Sequence, residues 1–349
     1  MLGRLKDSHR GHPIHSVNVL LLGLCLAEEF PDLKASLLAY PHESWTAKPH
    51  HHALAAREMV FHFRWYLASL YHDVGYPLEL IAQHLVPESI RDSDVELAQA
   101  LAVANDGIQR TVRAYMERKR SLRHVAFLDG YDDEGPSYCA EHKRRPIPRN
   151  KDLVGLFAGH IARSCNVMAS ASRVRAEMAK TFDRTCRAGD PLSFDHGKIG
   201  ALLLMHELRS AYEGQRATYD AETANVSALS HLSWHRANIY YEGIDAATAI
   251  YLHNTLRFEL DASWGPFSPL NVPPLSYLLF LCDLLVEWDK QDLGRRTTGP
   301  QTSGEHVLLS CTGSSLRVVY QGYSDVADSV SAKLRDLLDD DFLEVRVSA

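Results

Sequence analysis

The sequence has no CxxC pair, no apolar run long enough to cross a bilayer and no surplus of positive charge, and each absence removes a class of protein. Its six cysteines, Cys25, Cys139, Cys165, Cys186, Cys282 and Cys311, stand far apart. That spacing fits reduced thiols in a cytoplasm and argues against a zinc ribbon or a disulfide framework. Lys plus Arg number 37 against 44 for Asp plus Glu, so the net charge of -7 offers no general attraction to nucleic acid or to an anionic membrane. Any phosphate binding must be local. The run "NVLLLGLCLA" follows Arg4, Lys6 and Arg10 as the core of a signal peptide would. However, His12, Pro13 and His15 interrupt its approach, and "EEFPD" stands where a small-residue cleavage site belongs. The other long apolar run, "PLSYLLFLCDLLVEW", is too short to span a membrane and carries an acid at its middle. A cytoplasmic protein without a transmembrane helix is therefore expected. Internal repeats and low-complexity tracts are also missing, and 349 residues suffice to bury a substantial core in one large domain or two ordinary ones.

What is abundant is histidine, 19 in all, and that excess points toward metal or acid–base chemistry. Apolar residues recur at three-and-four spacing over residues 14–28, 52–73, 94–118, 152–188, 196–212, 225–239, 245–256 and 274–289, which predicts helices there. Strand patterns are almost missing before residue 305. Residues 124–151 mix Gly, Pro and both charge signs and read as one long loop. After a Gly/Ser/Thr-rich linker at 293–304, residues 305–349 carry two strand-like runs, an amphipathic helix and a last strand. The expected architecture is an all-α helical bundle over 1–292 with a small α+β appendage, too small to be stable unless it docks on the bundle.

Asp283 has the least comfortable setting. Its helical neighbours are Leu, Phe, Cys and Val, so its carboxylate is expected to be buried, where a charge must be paired or bound to metal. An Arg ion pair from another helix is the plain reading, and a metal is the other. His72 and Asp73 stand side by side where an aromatic-rich helix meets Gly75 and Pro77, which end helices. Adjacent residues on a helix point about 100° apart, so they can share a site only at such an end or where several helices wrap it. His15 opens the first apolar helix, His196 opens another with Gly197, Gly200 and Ala201 keeping its surface thin, and His253 lies near the end of a third. Singly, each is more simply a satisfied core or surface histidine. His12, three residues before His15, is an alternative to it.

The order His15, His72-Asp73, "HGKIGA" from His196, "AIYLH" ending at His253 and "LCDLLVEW" around Asp283 resembles the HD superfamily of metal-dependent phosphohydrolases. The likeness covers roughly residues 10–292. The two intervening histidines are similar to those of its two-metal branches, which include diadenosine tetraphosphate hydrolases and the HD-GYP cyclic dinucleotide phosphodiesterases. The letters "GYP" at 75–77 are no such label, because in HD-GYP enzymes the triplet belongs to a later motif with paired histidines, which nothing here matches. The lysine that often follows the HD pair in hydrolase branches is missing, and Tyr76 stands in that region.

The resemblance implies that Asp73 bridges two divalent ions, with His15, His72 and Asp283 completing one site and His196 and His253 the other. Nitrogen and oxygen donors of this kind suit Fe, Mn, Co or Zn. Two ions about 3.5–4 Å apart can hold a hydroxide, polarise a phosphoryl oxygen and stabilise a leaving oxygen. A one-metal site, with His196 and His253 on substrate phosphate, stays open. Asp73 and His72 would then be the catalytic pair, and Lys198, Arg257 and Tyr76 weaker candidates for substrate contact, the two cations being otherwise solvated surface charges. The expected substrate is a nucleotide or another phosphate ester or anhydride. The basic run "HKRRPIPRNK" at 142–151 could draw in a nucleotide or an RNA end, although the net charge does not indicate nucleic acid. "CAEH" at 139–142 offers only two zinc ligands. The competing expectation is a regulatory protein that keeps the helical shell, with or without a metal, and senses a nucleotide or recruits a partner, and homo-oligomerisation is undecided.

Overall fold

The computed structural model describes residues 12–39, 54–75, 123–126, 150–164, 171–185, 195–222, 236–255, 272–286, 306–312, 314–321, 324–335 and 344–348. These residues are mostly helical. In chain order the helices are α1 (His12–Glu29), α2 (Pro31–Ala39), α3 (Leu54–Tyr71), α4 (Leu153–Ser164), α5 (Ala171–Thr185), α6 (His196–Glu222), α7 (Arg236–Thr255), α8 (Pro274–Leu285) and α9 (Ser324–Arg335). Strands β1 (His124–Ala126) and β2 (Asn150–Asp152) form one antiparallel pair, and β3 (His306–Thr312), β4 (Ser315–Gln321) and β5 (Glu344–Ser348) form a second sheet. The helix expected over 94–118 and the linker expected over 293–304 lie outside the described residues.

Two sequence expectations need correction. Residues 152–188 form two helices, α4 and α5, that pack on each other, which one continuous helix could not do. Residues 124–151 are also not loop from end to end, because β1 and β2 pair across their base with His124 opposite Asp152. The Arg123 guanidinium grips the Asp152 carboxylate with Nε and Nη2, each 2.6 Å from an oxygen, and lies over the Phe182 ring. Three-residue strands carry too little alternation to stand out in a sequence, and here a bidentate ion pair beside them secures the root of the insertion.

The core explains the placement of the rest. α8 starts with Pro274 at its first turn, where a missing N–H costs nothing, and every one of its residues is buried. It therefore forms the centre around which α1, α3 and α7 pack. Gly23 lets α1 approach α3 closely, since a side chain there would run into the Trp65 ring, and Trp65 Nε1 donates to the Leu20 carbonyl at 2.9 Å. Arg64 meets Asp245, and eight residues further along both helices His72 meets His253, so α3 and α7 run parallel.

The C-terminal appendage has the expected elements. β4 pairs antiparallel with β3 and parallel with β5, and its Leu316, Val318 and Tyr320 point inward at alternate positions. They join Ala327, Val330 and Leu334 of α9 in the same apolar core as the helical body. Tyr320 Oη donates to the Leu285 carbonyl at the end of α8, 2.8 Å away, so the appendage does dock. No helix among the described residues is long and apolar enough to cross a membrane.

Candidate metal centre

Five helices deliver six side chains to one buried region. His15 comes from the first turn of α1, His72 and Asp73 from the turn that ends α3, His196 from the first position of α6, His253 from the last turn of α7 and Asp283 from the last turn of α8. All six are buried, with exposures of 0% to 8%. They fall into two groups, His15 with His72 and Asp283, and Asp73 with His196 and His253, in each of which the candidate ligand atoms lie within 4.8 Å of one another.

Local backbone chemistry sets these positions. Asp195 caps α6 by accepting the Lys198 amide proton at 3.1 Å, which starts the helix at His196. The turn at 72–75 abuts that helix start, and Gly75 permits it, because a side chain there would run into the His196 carbonyl. Gly197 serves α7 in the same way: an added Cβ would sit 2.7 Å from both the His253 ring and the Ile250 carbonyl. Gly200 completes the thin surface, against the Tyr71 and His72 carbonyls.

Ring orientation follows from hydrogen bonds to carbonyls. His72 Nδ1 lies 2.7 Å from the Ser69 carbonyl and His253 Nδ1 lies 2.6 Å from that of Ile250. A carbonyl can only accept, so both rings carry their proton on Nδ1 and, when neutral, turn a bare Nε2 toward the centre. That is the arrangement of metal-ligating imidazoles held by an outer hydrogen bond. Burial, aided by His196, pushes the His253 imidazole down to about 3, so it is neutral at physiological pH. His15 is held differently. Its Nδ1 has no hydrogen-bond partner among the described residues, and its ring lies 5.4 Å from that of His72.

The distances suit shared ions. Two donors each about 2.1 Å from one ion can be at most about 4.2 Å apart. His15 Nε2 and His72 Nε2 are 3.0 and 3.7 Å from Asp283 Oδ1. In the other group His196 Nε2 is 3.3 Å from Asp73 Oδ1 and 3.2 Å from His253 Nε2. Asp73 reaches both groups, with Oδ2 3.8 Å from His15 and Oδ1 3.6 Å from His72. Two buried carboxylates and four imidazoles, with no cationic side chain among the six, form a donor set that fits divalent cations. Burial and the Asp283 charge push the adjacent Cys282 thiol well up, so it stays protonated and unsuited to ligation.

The weaker candidates fare unevenly. Lys198 is no solvated surface cation: it is buried, and its Nζ lies 3.4 Å from Asp195. Burial would raise the Asp195 carboxyl, but the Lys198 ammonium, the neighbouring His196 and the Lys198 amide hold it below its ordinary value. Tyr76, Arg257, residues 142–149 of the basic run and "CAEH" lie outside the described residues, as does the side chain of His12, while Asn150 and Lys151 at the end of the run belong to β2. His62, on α3, stacks on Tyr66, with ring centroids 6.3 Å apart.

Sequence reasoning missed a second buried polar cluster. The Arg ion pair considered for Asp283 is formed by Asp245, whose Oδ2 accepts from Arg64 Nη1 at 2.8 Å while Oδ1 faces His160 Nε2 at 3.1 Å. Glu242 Oε2 lies 3.1 Å from Arg64 Nε. Burial, with Asp245 adding and Arg64 opposing, pushes the Glu242 carboxyl up to about 7. The signal was there to read, since Asp245 sits among Ile and Ala as Asp283 sits among Leu and Phe, and Arg64 stands between Phe63 and Trp65. No protein-family model, curated protein or solved structure matches this chain.

Proposed function

We propose that the protein is a metal-dependent phosphohydrolase of the HD type, acting on a phosphate ester or anhydride, most simply in a nucleotide. The observation that carries this reading is the convergence of His15, His72, Asp73, His196, His253 and Asp283 in two adjoining buried groups, with Asp73 of one group 3.8 Å from His15 and 3.6 Å from His72 of the other. Divalent ions bound there would supply Lewis acidity at a phosphoryl oxygen and a water acidic enough to lose its proton near neutral pH. The residues' own work is to hold that arrangement. The Ser69 and Ile250 carbonyls fix two imidazoles in the ligating tautomer, and the apolar surroundings of Asp283 keep competing water away. Asp73, between the groups, would bind both ions and so govern their separation.

Two measurements test the reading together: the metal content of purified protein, and hydrolysis of a generic phosphodiester such as bis(p-nitrophenyl) phosphate with added Mn²⁺, Fe²⁺, Co²⁺ or Zn²⁺. Bound divalent metal, and hydrolysis that Asp73→Ala abolishes, are expected. A protein that takes up no metal yet binds nucleotides would instead favour the sensing alternative.

A further inference from the structure

The cluster of Arg64, His160, Glu242 and Asp245 takes no direct part in the candidate metal centre, yet it lies on two of the helices that build it. Asp245 is a hub. Through Oδ2 it holds Arg64 on α3, and through Oδ1 it meets His160 on α4. Arg64 also faces Glu242, one turn earlier on α7, and its Nη2 reaches the Leu37 carbonyl of α2 at 3.4 Å. All four side chains are buried. The guanidinium stands where the acids would otherwise need an ion, so the cluster carries its own cation.

Its place along the helices gives it a task. Arg64 precedes His72 by eight residues and Asp245 precedes His253 by eight, which puts the ion pair about 12 Å before the site on both members of a parallel helix pair. Asp245, Ala249 and His253 stand about one turn apart on one face of α7, so on that face a small buried alanine separates the ion pair from the candidate ligand. Such a surface offers few protruding side chains to interlock, so it resists axial sliding weakly. Metal ligation is far less tolerant: donor distances must hold within about 0.2 Å. A one-residue slip would move His253 by about 1.5 Å.

We infer that Arg64 and Asp245 are positioning residues that lock the register of α7 against α3 and thereby place His253 opposite Asp73 and His196. This rests on the metal-centre reading above and adds a selective consequence to it. The group of His15, His72 and Asp283 is built from α1, α3 and α8, without α7. Loss of the lock should therefore weaken the ion held by Asp73, His196 and His253 and spare the other. Stability alone does not predict such a split, because replacing a buried ion pair with apolar side chains is commonly neutral or stabilising.

The test is Mn²⁺ binding to the full chain, followed by titration calorimetry and by low-temperature electron paramagnetic resonance, which distinguishes a coupled pair of ions from isolated ones. The parent is compared with the variant Arg64→Met/Glu242→Met/Asp245→Leu. The variant should melt no lower than the parent and bind its first ion unchanged. Its second ion should bind about 10- to 100-fold more weakly, the range seen when outer supports of ligands are removed. Arg64→Lys, which keeps the charge but loses the planar fork, should show a smaller loss at the second ion only, and it gives the answer if the triple variant does not fold. Unchanged binding of both ions, or equal weakening of both in step with lost stability, would overturn the positioning role alone. A parent that binds no Mn²⁺ would overturn the metal-centre reading and this inference with it.

Discussion

Two buried polar centres lie about two helical turns apart along the α3–α7 contact, and they use nearly the same chemical ingredients. One sets Asp245 beside His160, with Arg64 between Asp245 and Glu242. The other sets Asp73 and Asp283 among four histidines with no Lys or Arg among the six. A buried carboxylate must have its charge balanced, and the first centre does so from within the chain. The second has donors of the right kind and spacing to let divalent ions do it. What separates a structural cluster from a candidate metal centre here is the source of the positive charge, because acid and histidine occur in both.

The comparison can be broken hardest at the closed centre. Arg64→Ala strands two buried acids, and urea denaturation should show a loss of about 3–5 kcal/mol, whether or not metal is present. Glu242 offers a test by pH. Its folded value, about 7, lies above the ordinary 4.5, so its contribution to stability is full below about pH 4.5 and is lost as the pH rises through 7. Glu242→Gln should remove that dependence, giving a variant whose stability relative to the parent improves by of the order of 3 kcal/mol between those limits. A difference that does not change with pH would mean that Glu242 ionises freely in the fold.

Smaller effects sharpen the open centre. Gly197→Ala would place a methyl group 2.7 Å from the His253 ring, which should cost about 1–3 kcal/mol in thermal or urea unfolding and weaken metal uptake at the group that includes His196. Asp283→Ala in chelator should cost the least, about 1 kcal/mol, because it removes the hydrogen bond to His15 along with a buried charge. With Mn²⁺ at 100 times its dissociation constant, the parent should gain about 2.7 kcal/mol per ion, and Asp283→Ala should lose the share of its group. A variant as strongly stabilised as the parent would show that Asp283 is not a ligand.

Legibility in the sequence followed how strongly each residue conflicts with its neighbours. Asp283 stands out because an acid among Leu and Phe violates the pattern of its own helix, and the same logic, applied further, reaches Arg64 and Asp245. His15, His196 and His253 do not violate theirs, since a histidine near a helix end is ordinary. They gained weight only as a series resembling a known family. The strands of the appendage were legible from alternation, as at Leu316, Val318 and Tyr320. β1 and β2 were not, because three residues carry no period and their pairing joins positions on either side of a long insertion.

The sequence by itself determined the predominance of helix, the α+β appendage and the residues that had to be buried, because these follow from hydrophobic periodicity and from side chains close in the chain. Tertiary structure alone decided that Asp245 takes the arginine and that Asp283 faces His15 and His72. It also decided that Asp73 reaches both groups and that Gly75 and Gly197 are gaps into which neighbouring elements fit. Charge pairing and close packing join residues up to 268 positions apart, and only the way the helices cross settles which buried acid meets which partner.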